Sequence, residues 1–128
     1  MRSRILFIVI LLSIMTALPC LALEGNSFRI QAKIKYPDNV YLQELEYYQQ
    51  LSACYYMIGV PDKEIKHNAI VKYISDYVQQ KIFYDKQAIS RAFMMEQSDS
   101  HTKALVESKY PDDYEKQQLL YDQLISAP

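Results

Sequence analysis

The chain has 128 residues, half of them hydrophobic, with two glycines, two cysteines and a formal net charge of −1. That length is one domain's worth, and without a block of like charge it excludes a general nucleic-acid surface. Two glycines cannot build a glycine-rich phosphate loop, and HExxH, CxxC and GxSxG motifs are all missing from the sequence. The expectation is a non-enzymatic protein.

The first residues read MRSRILFIVILLSIMTALPCLA. Arg2 and Arg4 make a short basic region, Ile5 to Ile14 is almost unbroken apolar, and Pro19 precedes Cys20-Leu21-Ala22. This is the pattern of a secretory signal peptide over residues 1–22, cleaved after Ala22. The apolar run barely reaches the length a bilayer needs, and Pro19 interrupts it. A lipoprotein signal fits poorly, because proline stands where a small residue should precede Cys20. The reading is therefore a periplasmic or secreted protein with no transmembrane span after cleavage. Removing Arg2 and Arg4 leaves 12 basic against 15 acidic residues, a net charge near −3. Cys54 then has no partner for an internal disulfide, and its apolar neighbours suit a buried thiol.

Residues 27–36, SFRIQAKIKY, alternate strictly. Phe28, Ile30, Ala32, Ile34 and Tyr36 are apolar; Arg29, Gln31, Lys33 and Lys35 are polar. Period two predicts a half-buried strand. Residues 23–36 thus read as an extended arm or single β-strand in front of a helical domain over 37–128. An isolated strand leaves its backbone groups unpaired, so the segment is a disordered arm, lies extended across the bundle, or pairs with a strand of another chain, where Phe28, Ile30 and Ile34 would fill the partner's pockets.

Pro37, Pro61 and Pro111 are each followed by aspartate. Proline suits the first turn of a helix and aspartate caps its free N–H groups. These dipeptides predict helix starts, strengthened at Asp112 by Glu115 three residues on. The first helix should run from Asp38 to Ile58, burying Tyr41, Leu45, Tyr48, Leu51, Tyr55 and Ile58 as one stripe. Gly59 supplies its stop. A second helix should span Asp62 to Phe83 and a third Lys86 to Gln97. Ser98-Asp99-Ser100 interrupts the third or caps a short further helix through Lys109, and a last helix covers Asp112 to Ser126. The fold class is all-α, a small bundle of four to five helices behind the arm.

Lys35-Tyr36-Pro37-Asp38-Asn39 recurs as Lys109-Tyr110-Pro111-Asp112-Asp113. The offset equals two units near the length of helical repeats. The rest of the two segments aligns poorly, so shared helix-start chemistry is the simpler reading.

His67 on an apolar helix face and His101 after the serine-rich break, together with Met57, Met94 and Met95, suggest an alternative. This is a periplasmic metal- or small-ligand-binding bundle. No ligand spacing supports it, and neither a metal nor a cofactor is expected. The composition does stand out in tyrosine: twelve, against four phenylalanines and no tryptophan. Tyrosine is enriched at protein interfaces. Tyr36, Tyr47 and Tyr56 join Phe28, Ile30 and Ile34 as the expected partner-binding residues. The functional expectation is a small exported protein-binding or assembly subunit of a bacterial cell envelope or secretion machine. Its partner is an envelope protein or a second copy of itself.

Overall fold

A computed structural model describes residues 24–127. The expected signal segment, residues 1–22, lies outside the described residues. Those described form six helices with no strand among them: α1 over residues 24–35, α2 Val40–Gly59, α3 Lys63–Lys72, α4 Tyr77–Glu96, α5 Ser100–Lys109 and α6 Tyr114–Ser126. The all-α reading holds. The chain divides into two compact units, the first ending at Gly59 and the second beginning at Val60. The first contains α1 and α2. The second contains two helical hairpins, α3–α4 and α5–α6, with α4 packed along α6. No helix among the described residues is long and apolar enough to cross a membrane.

The expected strand over 27–36 is a helix. Strict alternation contains every i, i+4 pair, and here those pairs govern. Phe28 and Ala32 are each 1% exposed on one face of α1, while Ile30 and Ile34 point to solvent at 59% and 76%. Arg29 and Lys35 bind Glu44 and Glu46 of α2 at 3.0 and 2.8 Å, so the basic row meets acids of its own unit.

The phase of α2 also differs from the expected one. Its buried residues are Gln50, Ala53, Cys54 and Met57, and the tyrosines at 41, 48 and 55 lie exposed on the opposite side. The larger apolar stripe is not the buried one. Small residues and two side chains of moderate volume fill the inner face instead.

Nor does one helix run from Asp62 to Phe83. α3 stops at Lys72, residues 73–76 turn, and α4 merges the remainder with the expected third helix. The turn contains neither proline nor glycine. Asp76 caps α4 by accepting from the Gln79 amide N–H, and the Gln80 side chain donates to the carbonyls of Tyr73 and Ile74 at 2.7 and 3.4 Å. These bonds replace the helical ones given up at the break. Elsewhere the caps shift by a residue: Asn39 rather than Asp38 caps α2, and Asp113 rather than Asp112 caps α6. Asp62 and Asp99 cap α3 and α5.

These turns are copies of one device. Tyr36, Tyr73 and Tyr110 fall 37 residues apart, each ending the first helix of a hairpin. Their N–H groups donate to Ala32, Ala69 and Val106, always at 3.0 Å. Their carbonyls accept from Gln43, Gln80 and Gln117 at 2.7, 2.7 and 2.6 Å. Lys35, Lys72 and Lys109 each lie over the following tyrosine ring, at 5.4 to 5.6 Å. The caps Asn39, Asp76 and Asp113 keep the same interval, as do Asp62 and Asp99. The chain is a threefold helical-hairpin repeat, and the shared chemistry of residues 35–39 and 109–113 is the trace of that repeat.

Candidate functional site

Within the second unit, Gln87 and Arg91 of α4 reach across to the hairpin of α5 and α6. Gln87 of α4 is buried and clasps the start of α6. Its Oε1 accepts from the Tyr114 N–H at 2.7 Å and its Nε2 donates to the Asp113 carboxylate at 2.9 Å. Burial pushes the Asp113 carboxyl upward, but hydrogen bonds from Gln87 and Lys116 outweigh it and hold the group below the usual carboxylate range. Tyr84 accepts the Asp62 N–H on its hydroxyl at 3.1 Å, tying α3 to α4. Arg91 donates to the Asp62 carboxylate and lies over the Tyr114 ring, its charge centre 5.2 Å from the centroid. Burial raises the Tyr114 phenol above its ordinary value, and the nearby Arg91 charge only partly counters it.

Beside this network lies an open cleft of about 290 Å³, lined by Arg91, Met94, Met95, Lys103, Glu107, Tyr114 and Gln117. Met94 is buried and packs with Val106 and Tyr121 as the apolar centre of the unit, flanked by Phe93 and Leu120. Met95 stands in solvent. Gln117 is buried with its Oε1 lacking a hydrogen-bond partner, a feature shared with Gln80 at the same repeat position. The cleft therefore offers soft thioethers, an aromatic face, a buried acceptor and charges of both signs at the rim. That set suits a peptide segment with one apolar side chain and free backbone N–H groups. A second cleft of about 280 Å³ runs between α4 and α6 past Ile89 and Leu119.

The residues expected to bind a partner are not gathered into one patch. Phe28 is buried. Ile30 and Ile34 are neighbours on the outer face of α1. Tyr36 lies under Lys35, and Tyr47 lies under Arg29 with the guanidinium 4.0 Å from its ring centroid. Tyr56 is exposed near the end of α2. His67 and His101 are both exposed, and among the described residues no group of three or more His, Cys, Asp or Glu side chains converges. Sequence reasoning missed Gln87, Arg91 and Tyr114. The 37-residue register aligns Gln50 with Gln87 and Tyr77 with Tyr114, but it sets Cys54 against Arg91 and so gives no signal for the arginine.

No family model, curated protein or solved structure matches the chain.

Proposed function

We propose that the chain is an exported, non-enzymatic protein-binding subunit that serves assembly in a bacterial cell envelope or secretion machine. The observation that supports this reading most directly is the cleft of the second unit. Stacked helical hairpins present grooves lined by several repeats, and such grooves bind extended segments of other proteins. Methionine and tyrosine on its walls provide adaptable apolar contact, and Arg91, Lys103 and Glu107 provide orientation at its edge. Export rests on the basic, apolar and small-residue succession of residues 2–22.

The test is recovery of envelope proteins on the immobilised chain, compared with Met95→Lys. Met95 is exposed, so the substitution leaves the fold intact while placing a charge in the cleft. Loss of a defined partner with Met95→Lys, at unchanged melting temperature, supports the reading. Identical recovery by both proteins overturns it.

A further inference from the structure

The exposed face of α2 carries a regular, uncharged seam. From Tyr47 through Val60 there is no charged residue, although half of this stretch faces solvent. Tyr41, Tyr48 and Tyr55 are 75%, 58% and 52% exposed, and Leu45, Ser52 and Gly59 share their side of the helix. Taken in order, 41, 45, 48, 52, 55 and 59 step by four and three alternately. That is the seam of a coiled coil, with tyrosine at each d position and Leu, Ser or Gly at each a position.

The seam is its own complement when reversed. In an antiparallel pair, a residues of one helix meet d residues of the other. A two-fold axis level with residue 50 sets Tyr41 against the partner's Gly59. The same axis sets Leu45 against the partner's Tyr55 and Tyr48 against the partner's Ser52. Where the residue is large, its counterpart is small or aliphatic, and the axis repeats each layer. On the flanks Gln49 meets the partner's Gln49, and Leu51 meets the partner's Leu51. Glu44, already bound to Arg29, meets no like charge. At about 150–250 Å² for a whole aromatic side chain, the exposed portions of the three tyrosines offer roughly 280–460 Å² per copy, to which Leu45 and the flanking residues add. Standard interfaces cover about 800 Å² per partner.

We propose that α2 pairs with α2 of a second copy, antiparallel, to form a reversible two-fold dimer. The inference is independent of the cleft in the second unit. The test is sedimentation of the purified chain, in the form its host leaves it, over a wide concentration range. Wild type should pass from monomer to dimer. Ser52→Lys, which puts a charge under the partner's Tyr48, should weaken dimerisation at least tenfold with unchanged helical circular dichroism. A register test uses a short bifunctional maleimide in a background where Cys20, if retained, is alanine. Gln49→Cys should cross-link to itself. Tyr41→Cys should not, because the two copies of that position lie roughly 27 Å apart along the helices at 1.5 Å per residue. Cys54 is buried and does not interfere. A wild type that stays monomeric throughout, a Ser52→Lys protein that dimerises as well as wild type, or cross-linking at position 41 instead of 49 overturns the proposal.

Discussion

Gln80 donates its side-chain amide to the Tyr73 carbonyl at 2.7 Å, in a turn with no proline or glycine to enforce it. The amide is almost fully buried and its other end, Oε1, has no partner. The donor half of this side chain therefore holds the turn. Gln80→Ala should cost about 1–3 kcal/mol, the range for a buried carbonyl left unsatisfied. Gln80→Glu provides the sharper test. An ionised carboxylate faces a carbonyl and repels it, whereas the protonated acid donates to it. The folded-state pKa of the new carboxyl is then raised, so the variant is most stable in acid and loses stability as pH rises through that value. Urea melts from pH 4 to 8 check the slope; a flat difference from wild type would remove the donor role.

Gln87 couples the two hairpins of the second unit, so its loss should be felt in α5 and α6 before α3. Gln87→Leu keeps the volume but abandons the Tyr114 N–H and the Asp113 carboxylate. A destabilisation of about 1–3 kcal/mol is expected. Amide hydrogen exchange should quicken across residues 100–126 first. Uniform loss of protection across 63–126 would mean that the hairpins unfold as one block whatever joins them.

How much of this was legible in the sequence depends on which period governed each segment. α5, α6 and the start of α3 follow from aspartate caps, a local signal independent of packing. In sequence α1 reads as a strand because its apolar residues satisfy periods of two and of four alike. Only burial of Phe28 and Ala32 with exposure of Ile30 and Ile34 separates the two. The break at 73–76 was invisible because Ile74-Ser75 replaces the Pro-Asp of the sister turns. Its function passed to Gln80, a residue with no turn preference. Buried glutamines violate the binary pattern of apolar-in, polar-out, and the phase of α2 was lost with them. At the cleft, the sequence points to Met94 and Met95 but not to Arg91, since long-range pairs leave no spacing to read.

The acid response of the second unit should carry the mark of Asp113. Its folded pKa is depressed, so its contribution is present above the unfolded value and disappears as pH falls through the folded one. Asp113→Asn preserves the cap, as Asn39 does at the same repeat position, but removes the charge from the Gln87 and Lys116 bonds. Because the carboxylate keeps part of its surface in water and its Lys116 partner is exposed, the cost at neutral pH should be only a few tenths to about 1 kcal/mol. The variant's disadvantage should vanish in strong acid. A disadvantage that persists there would show that shape rather than charge is at stake.

The two phases of α2 predict opposite outcomes at Met57 and Tyr48. Met57 is buried, so Met57→Ala should cost about 2–5 kcal/mol. Tyr48→Ala, measured at high dilution, should change stability by less than about 0.5 kcal/mol, as expected for an exposed site. The reverse order would restore the tyrosine stripe to the interior.

The most decisive contrast lies in α1, where strand and helix demand different responses to the same substitutions. Ile34 is largely exposed in a helix, so Ile34→Ala should stabilise by a few tenths of a kcal/mol through helix propensity. In a strand the same change would destabilise, since alanine is a poorer strand former than isoleucine. Phe28→Ala should cost about 3–5 kcal/mol, because the ring is buried rather than held out for a partner. Ile30→Pro should break the helix at about 3 kcal/mol, while Ile30→Val stays nearly silent. Deleting residues 23–34 removes Phe28, Ala32 and the Arg29–Glu44 pair together. It should therefore unfold the first unit, seen as a loss of helical circular dichroism beyond that of the deleted residues themselves. A deletion protein that keeps its melting temperature would show α1 to be an arm after all.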